Sequence, residues 1–327
     1  MMKCLDACGR RISYLRLSLT SQCNLRCCYC LPNGCAGLAL AQRQISPGEI
    51  VRLGRAFAGL GFSKIRLSGG EPTLRPDLIQ IIALLSSLSK IAQLALTTNG
   101  LTLAALAKPL FGAGLRGLNI SLDSLRPGIF ARITGEDKLD EVFDGLEAAY
   151  AAGFKWLKVN TVLLGGINDH EVEDFIEFVR QRPVTVRFIE LMQTGNNRAF
   201  FLQHHLSVAP LAARLAADGW CPKPRSALDG PAVEYEHPDY LGRVGIIAPY
   251  CENYCSSCNR LRIDAFASLR LCLFGRRSFP LRPLLASDGQ QDELKAIVRS
   301  LLKKKSSGHS LLSGKTGITA NLAQIGG

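Results

Sequence analysis

Tyr14-Leu15-Arg16-Leu17-Ser18-Leu19-Thr20 is followed, two residues on, by Cys23-Asn24-Leu25-Arg26-Cys27-Cys28-Tyr29-Cys30, and these two strings decide how the rest of the chain reads. The first alternates and is rich in β-formers, so it reads as a strand that runs into a cysteine loop. Cys23, Cys27 and Cys30 stand at C-x3-C-x2-C spacing. Three thiolates that close can wrap one metal cluster within a single loop. A cubane of four irons needs four ligands, and cysteine thiolate is its usual donor. Three donors leave one iron open beside Tyr29, which suits a cluster that binds a small molecule and acts on it. A four-cysteine site would more naturally carry electrons.

Beyond the loop, strand and helix alternate. Strands are expected over Lys64–Ser68, Leu94–Thr98, Gly117–Leu122, Trp156–Leu163 and Val184–Leu191. Helices are expected over Pro47–Leu60, Pro76–Leu88, Leu101–Phe111 (broken by Pro109), Leu139–Ala152, Val172–Gln181 and Leu206–Ala217. Such alternation implies parallel strands joined by right-handed crossovers. Six units over about 200 residues fall short of a closed eightfold barrel, which takes about 250. The expectation is an α/β chain built as an incomplete (βα)6 TIM-like barrel. Its distinctive strings (the cysteine loop, GGEP, TTNG, SLDS and FIELM) all close strands, where sites of this architecture lie. From Cys221 onward prolines punctuate short strands. The division expected is 1–220 for the partial barrel and 221–327 for a smaller region over its open side.

With 327 residues, 47% of them apolar, a sizeable core is possible. No long uncharged apolar run suggests a membrane span, and the first residues lack the apolar centre of an export signal. A cytoplasmic location is the expectation. It argues against reading the twelve cysteines as a disulfide framework. The net charge of +12 admits a nucleic acid or an anionic small molecule. The basic residues are spread along the chain, several of them at strand ends, which favours a small polyanion over a nucleic-acid stripe. Lys303-Lys304-Lys305 reads as the last turn of a surface helix, and His204-His205 as surface. Leu228–Pro238 reads as a loop away from any site.

A second triad is Cys255-x2-Cys258-x13-Cys272, whose second cysteine runs directly into Asn259-Arg260-Leu261-Arg262. Its spacing suits iron–sulfur or zinc, and Cys251 would complete a four-cysteine zinc site. Arginine beside it points to an anionic ligand, because guanidinium makes paired hydrogen bonds to phosphate or carboxylate. Cys4, Cys8, Cys28, Cys35, Cys221 and Cys251 read as packing residues or idle thiols. Gly69-Gly70 and Asn99-Gly100 can be plain turns, Met192 a packing residue, and Lys158 and Arg187 solvated charges.

The cysteine loop with GGEP about forty residues on resembles the radical S-adenosylmethionine enzymes. The second triad with CNRLR, RFIELMQTG and the terminal Gly-Gly are similar to the branch that cyclises GTP in the first step toward molybdopterin. That resemblance implies two 4Fe–4S clusters, on Cys23, Cys27 and Cys30 and on Cys255, Cys258 and Cys272. S-adenosylmethionine would be held at Tyr29, Gly70, Ser121 and Met192. GTP would be held at Arg16, Arg66, Thr97, Lys158, Arg260 and Arg262, with Arg187 beside the site. Arg16, Arg260 and Arg262 would act in catalysis, and Gly326-Gly327 would reach into the lumen. The implied reaction starts when the first cluster cleaves S-adenosylmethionine to a 5′-deoxyadenosyl radical. That radical takes a hydrogen from the ribose 3′ carbon, which then attacks guanine carbon 8. Implied partners are GTP, a one-electron reductant of flavodoxin type or a chemical one, and a downstream cyclic pyranopterin monophosphate synthase. The enzyme would be a monomer or homodimer with no membrane or nucleic-acid partner. The alternative is a radical enzyme that modifies a peptide or protein with an auxiliary C-terminal cluster.

Overall fold

The structure, a computed structural model, describes residues 4–31, 43–323, 325 and 326. Cys35 and Gly327 lie outside the described residues. Six strands pair in parallel and in chain order: β1 (Tyr14–Ser18), β2 (Lys64–Ser68), β3 (Gln93–Thr98), β4 (Gly117–Ser121), β5 (Trp156–Leu163) and β6 (Thr185–Glu190). The helices along this stretch are α1 (Pro47–Gly59), α2 (Leu78–Ser86), α3 (Leu103–Gly112), α4 (Pro127–Thr134), α5 (Leu139–Ala151), α6 (Val172–Phe178), α7 (Arg198–His204) and α8 (Ala209–Ala217). Then come β7 (Cys221–Pro222), β8 (Val233–Glu236), β9 (Arg243–Ile247), β10 (Arg260–Ile263), β11 (Ser268–Arg270), β12 (Phe279–Pro280) and α9 (Gln291–Leu302).

Local chemistry sets these elements. Helix α1 opens on a capping box: the Ser46 side chain accepts from the Glu49 amide, and the Glu49 carboxylate accepts from the Ser46 amide at 2.7 Å. Pro47 fixes its first turn, and Ile50, Leu53 and Phe57 are buried from it into the core. Each such side chain contributes roughly 1.5–3 kcal/mol by leaving water. Helix α3 continues through Pro109 rather than breaking there. The ring removes one backbone bond near the end of the helix, and packing against α5 holds the remainder. Helix α4 has no counterpart in the sequence reading; Pro127 begins it, and Phe130 and Ile133 bury it.

The described strands form one open sheet in the order β12-β11-β10-β1-β2-β3-β4-β5-β6-β9-β8-β7. This matches the incomplete barrel expected. Strands from beyond residue 220 extend it at both edges, β10 running parallel to β1 and β9 parallel to β6. Among the described residues no helix is long and apolar enough to cross a membrane.

Four expectations from the sequence need correcting. Lys305 is 4% exposed, so the lysine run is not wholly surface. The stretch Leu228–Pro238 touches the candidate site through Leu228, Pro231 and Glu234. The basic residues are not confined to strand ends: Arg16, Arg66 and Arg262 sit mid-strand and are buried, because alternation turns them inward. His205 lies 2.8 Å from the buried Glu190 carboxylate, and His204 bonds the Gly165 carbonyl, so this pair holds α7 rather than facing solvent.

Candidate active site

Two cavities meet inside the barrel. Cys23, Cys27 and Cys30 line the first, with Tyr29, Gly70, Thr97, Ser121 and Asp123. Cys255, Cys258 and Cys272 line the second, with Arg16, Arg66, Arg187, Arg260 and Arg262. Asn160, Ile189 and Met192 line both and form their common wall. Cys251 is exposed and is not among the residues lining the second cavity.

The loop of the first triad is held from the strand ends. The Tyr29 hydroxyl donates to Asp123 Oδ2 at 2.8 Å, and Asp123 Oδ1 accepts from the Val162 amide at 2.8 Å. Burial lifts the Asp123 carboxyl to about 6 against those two bonds. Asn99 Nδ2 donates to Asn24 Oδ1 at 2.8 Å, so the Asn99-Gly100 turn also ties this loop. A Cβ on Gly70 would collide with the Gln22 carbonyl, so the turn must be glycine for the cysteine loop to pass so close. Glu71, beside it, is buried and accepts from the Thr73 amide and hydroxyl, the Thr98 hydroxyl and the Asn99 amide. Replacing Glu71 with Ala strips these donors of their partner in a dry site. We expect a loss of about 3 kcal/mol or more in urea unfolding; a loss below about 1 kcal/mol would show the loops hold without it.

The first donor set fits a cluster. Burial, with Cys23 adding repulsion, pushes the Cys30 thiol up to about 12, and burial with Asp123 holds Cys27 well above its ordinary value. Three thiolates coexist in such a place beside a metal cation, which drives off their protons. Among the described residues no three metal-ligating side chains gather round a single-ion position. Ser68 Oγ, Thr97 Oγ1 and Asn160 Oδ1 are buried in this cavity's wall with no hydrogen-bond partner. Those atoms suit a polar ligand.

Within the second triad two thiols move in opposite directions: burial raises Cys255, while neighbouring cations lower Cys258. Burial would raise the Cys258 thiol, yet Arg260 and Lys305 outweigh it and bring it to about 7. Lys305, whose ammonium donates to the Leu271 carbonyl, lines this cavity together with His309.

Parallel register builds the cationic wall. Arg262, Arg16 and Arg66 lie side by side across β10, β1 and β2, and Arg260, Tyr14 and Lys64 form the neighbouring row. Burial, then the Arg262 charge, lowers Arg16 to about 9. Burial also lowers Arg66 and Arg262, each to about 10. Lys64 and Arg66 sit 4.9 and 5.6 Å from the centre of the Tyr14 ring, whose face softens their repulsion. A row of buried like charges is costly unless an anion completes it.

Lys158 lies elsewhere. With Lys64 and Asn119 it lines a recess toward the amino ends of the strands, joined to the second cavity through Arg66 and Arg187. Thr97 faces the first cavity, not the arginine row. Lys64, Tyr14 and Glu234 were missed by the sequence reading. The K-x-R spacing of Lys64 and Arg66 on one strand face could have revealed the first; nothing local reveals Glu234.

The tail enters this region. Ile325 is buried, and the Gly326 carbonyl accepts from Arg262 Nη1 at 2.7 Å. Gly326 has φ of +66° and lines the first cavity, and a Cβ there would collide with Ser68 Oγ.

Comparison with known proteins follows this geometry. The profile described as the radical SAM superfamily matches residues 17–179, and that described as Molybdenum Cofactor Synthesis C matches 184–311. A GTP 3′,8-cyclase of Stenotrophomonas maltophilia (strain K279a) is 49% identical over the whole of both chains. One of Aeromonas hydrophila is 48% identical over 98% of this chain and 95% of its own. Among solved structures, Streptococcus suis SuiB bound to S-adenosylmethionine covers 94% of this chain and 75% of its own, with TM-score 0.60 and 14% identity, and so shares the fold. The chain belongs to the GTP 3′,8-cyclase family of the radical S-adenosylmethionine superfamily.

Proposed function

We propose that this chain cyclises GTP to 3′,8-cyclo-7,8-dihydroguanosine 5′-triphosphate, opening molybdenum cofactor biosynthesis. One observation carries the reading: two cysteine triads open into adjoining cavities, and buried arginines line the second. When bound, a 4Fe–4S cluster on Cys23, Cys27 and Cys30 supplies one-electron chemistry that makes a carbon radical from S-adenosylmethionine, and one on Cys255, Cys258 and Cys272 offers an open iron to guanine. Residues 1–220 are read as the radical-generating unit and 221–327 as the unit that grips the substrate.

The side chains do the rest. Tyr29, Gly70, Ser121 and Met192 position S-adenosylmethionine, and the unpartnered Thr97 hydroxyl meets a ligand from the same cavity. Arg16, Arg66, Arg260 and Arg262 neutralise the triphosphate, with Arg187, Lys64 and Lys158 on its far side. Each hydrogen bond to a charged group is worth about 1.5–3 kcal/mol. Arg16, Arg260 and Arg262 also hold the nucleotide while its ribose faces the radical source, and Ile189 and Met192 exclude water at the shared wall. A triphosphate, with several negative charges on one short chain, matches this cationic row better than an uncharged peptide segment would. The reductant is read as a flavodoxin-like or chemical one-electron donor, and the product passes to a cyclic pyranopterin monophosphate synthase. The protein is read as a cytoplasmic monomer or homodimer.

Anaerobic incubation with GTP, S-adenosylmethionine and dithionite should yield the cyclised nucleotide by mass spectrometry, with the ribose 3′ hydrogen recovered in 5′-deoxyadenosine. Unchanged nucleotide would refute the reading. A pH dependence follows as well. Burial, then Arg66, lowers Lys64 to about 7, and burial, then Arg187, lowers Lys158 to about 8. Above those values the ligand-free amines lose protons, and an incoming triphosphate restores them. GTP affinity should therefore fall as pH rises from about 7 to about 9, with proton uptake on binding. Calorimetry in buffers of different ionisation enthalpy measures that uptake; a pH-independent affinity would exclude both lysines from the phosphate site.

A further inference from the structure

Glu234 stands among cations that the function above assigns to the nucleotide. Its Oε1 lies 2.5 Å from Lys158 Nζ and 2.6 Å from Arg187 Nη2. Its side chain is 12% exposed, against 4% for Arg187 and 22% for Lys158. Lys64 and Arg66 line the same recess. Burial opposes ionisation of Glu234, but Arg187 and Lys158 outweigh it and bring the carboxyl down to about 2. It is therefore an anion across the working pH range. The backbone fixes it there: Glu234 pairs with Gly245 on β9, and its carbonyl accepts from the Lys223 amide at 2.7 Å. Gly245 also makes room for the contact, since a Cβ at that position would stand 3.0 Å from Arg187 Cγ and 3.6 Å from Glu234 Cγ. A second acceptor from the same stretch, the Leu228 carbonyl, takes the Lys64 ammonium at 2.6 Å.

One carboxylate oxygen between an ammonium and a guanidinium reproduces the surroundings of a bound phosphate oxygen. We propose that Glu234 is a resident competitor for the terminal phosphate of the nucleotide, occupying its place between Lys158 and Arg187 and so setting how strongly the site rewards each added phosphate. The inference rests on those cations binding the phosphates of GTP. Ligand binding must displace this carboxylate or share its two partners. The cost falls on the phosphate end and spares the guanosine end. Glu234 thus weakens triphosphate affinity while it offsets part of the positive charge of the recess and keeps Lys158 and Arg187 paired in the absence of ligand.

The test is anaerobic calorimetry of the cluster-loaded enzyme with GTP, GDP and guanosine, for wild type, Glu234→Gln and Glu234→Val. Glutamine keeps the shape and removes the charge, and valine suits the strand if glutamine misfolds; circular dichroism and iron content report folding for both. We expect either variant to bind GTP about tenfold more tightly, with guanosine affinity unchanged and the GTP-to-guanosine ratio raised by the same factor. Unchanged or weaker GTP binding in both folded variants, while Lys158→Ala weakens GTP binding in the wild-type background, would overturn the proposal and leave Glu234 a structural counter-ion. If wild type itself bound GTP no better than guanosine and Lys158→Ala changed nothing, the assignment of these cations to phosphate would fall first, and the proposal with it.

Discussion

Cys272→Ser should abolish cyclisation of GTP while S-adenosylmethionine is still cleaved, and iron should drop from about eight atoms per chain to about four. The two triads line separate cavities, so removing one ligand of the second leaves the donors, Tyr29 anchor and glycine turn of the first intact. Uncoupled cleavage is read as 5′-deoxyadenosine formed without nucleotide product. The converse change, Cys30→Ser, should end both reactions. Loss of cleavage in Cys272→Ser would mean that the two sites depend on one another, and the separation across Asn160, Ile189 and Met192 would not be functional.

Gly326→Ala should reduce cyclisation by roughly a hundredfold with little change in iron content. Its backbone is left-handed, a conformation that costs a side chain roughly 1–2 kcal/mol. The added methyl would also strike Ser68 Oγ. The tail would shift, and Arg262 would lose the Gly326 carbonyl that fixes its guanidinium. An arginine moved by an ångström misplaces a charged ligand, which can cost two orders of magnitude in rate. Steady-state cyclisation assays beside iron analysis and thermal unfolding would check this. Wild-type rates in a folded Gly326→Ala protein would show that the tail has no part in catalysis.

Much of the barrel was legible because its signals are local. Alternating strands, helix caps and the GGEP turn each announce themselves within a few residues, and the cysteine spacings lie within single loops. What escaped depends on pairing between distant segments. Nothing near Arg262 says that it will stand beside Arg16; that follows from β10 pairing with β1 in parallel. Glu234 reads as an ordinary polar residue of a loop until the pairing of β8 with β9 brings it onto Arg187. Lys305 closes a run of three lysines, and its neighbours mislead: Lys303 and Lys304 are exposed while Lys305 turns inward to the Leu271 carbonyl. Helix α4 is short and opens on Pro-Gly, which locally signals a turn.

The pairing of β1 with β10 also has a bearing on synthesis. As the polypeptide leaves the ribosome, the first strand of the barrel emerges early, yet its outer neighbour arrives only when residues 260–263 have been translated. Until then the growing chain carries an uncovered outer edge on β1. A nascent barrel in that condition is a natural client for chaperones, and shortening the interval between those two segments would be expected to raise the yield of folded protein.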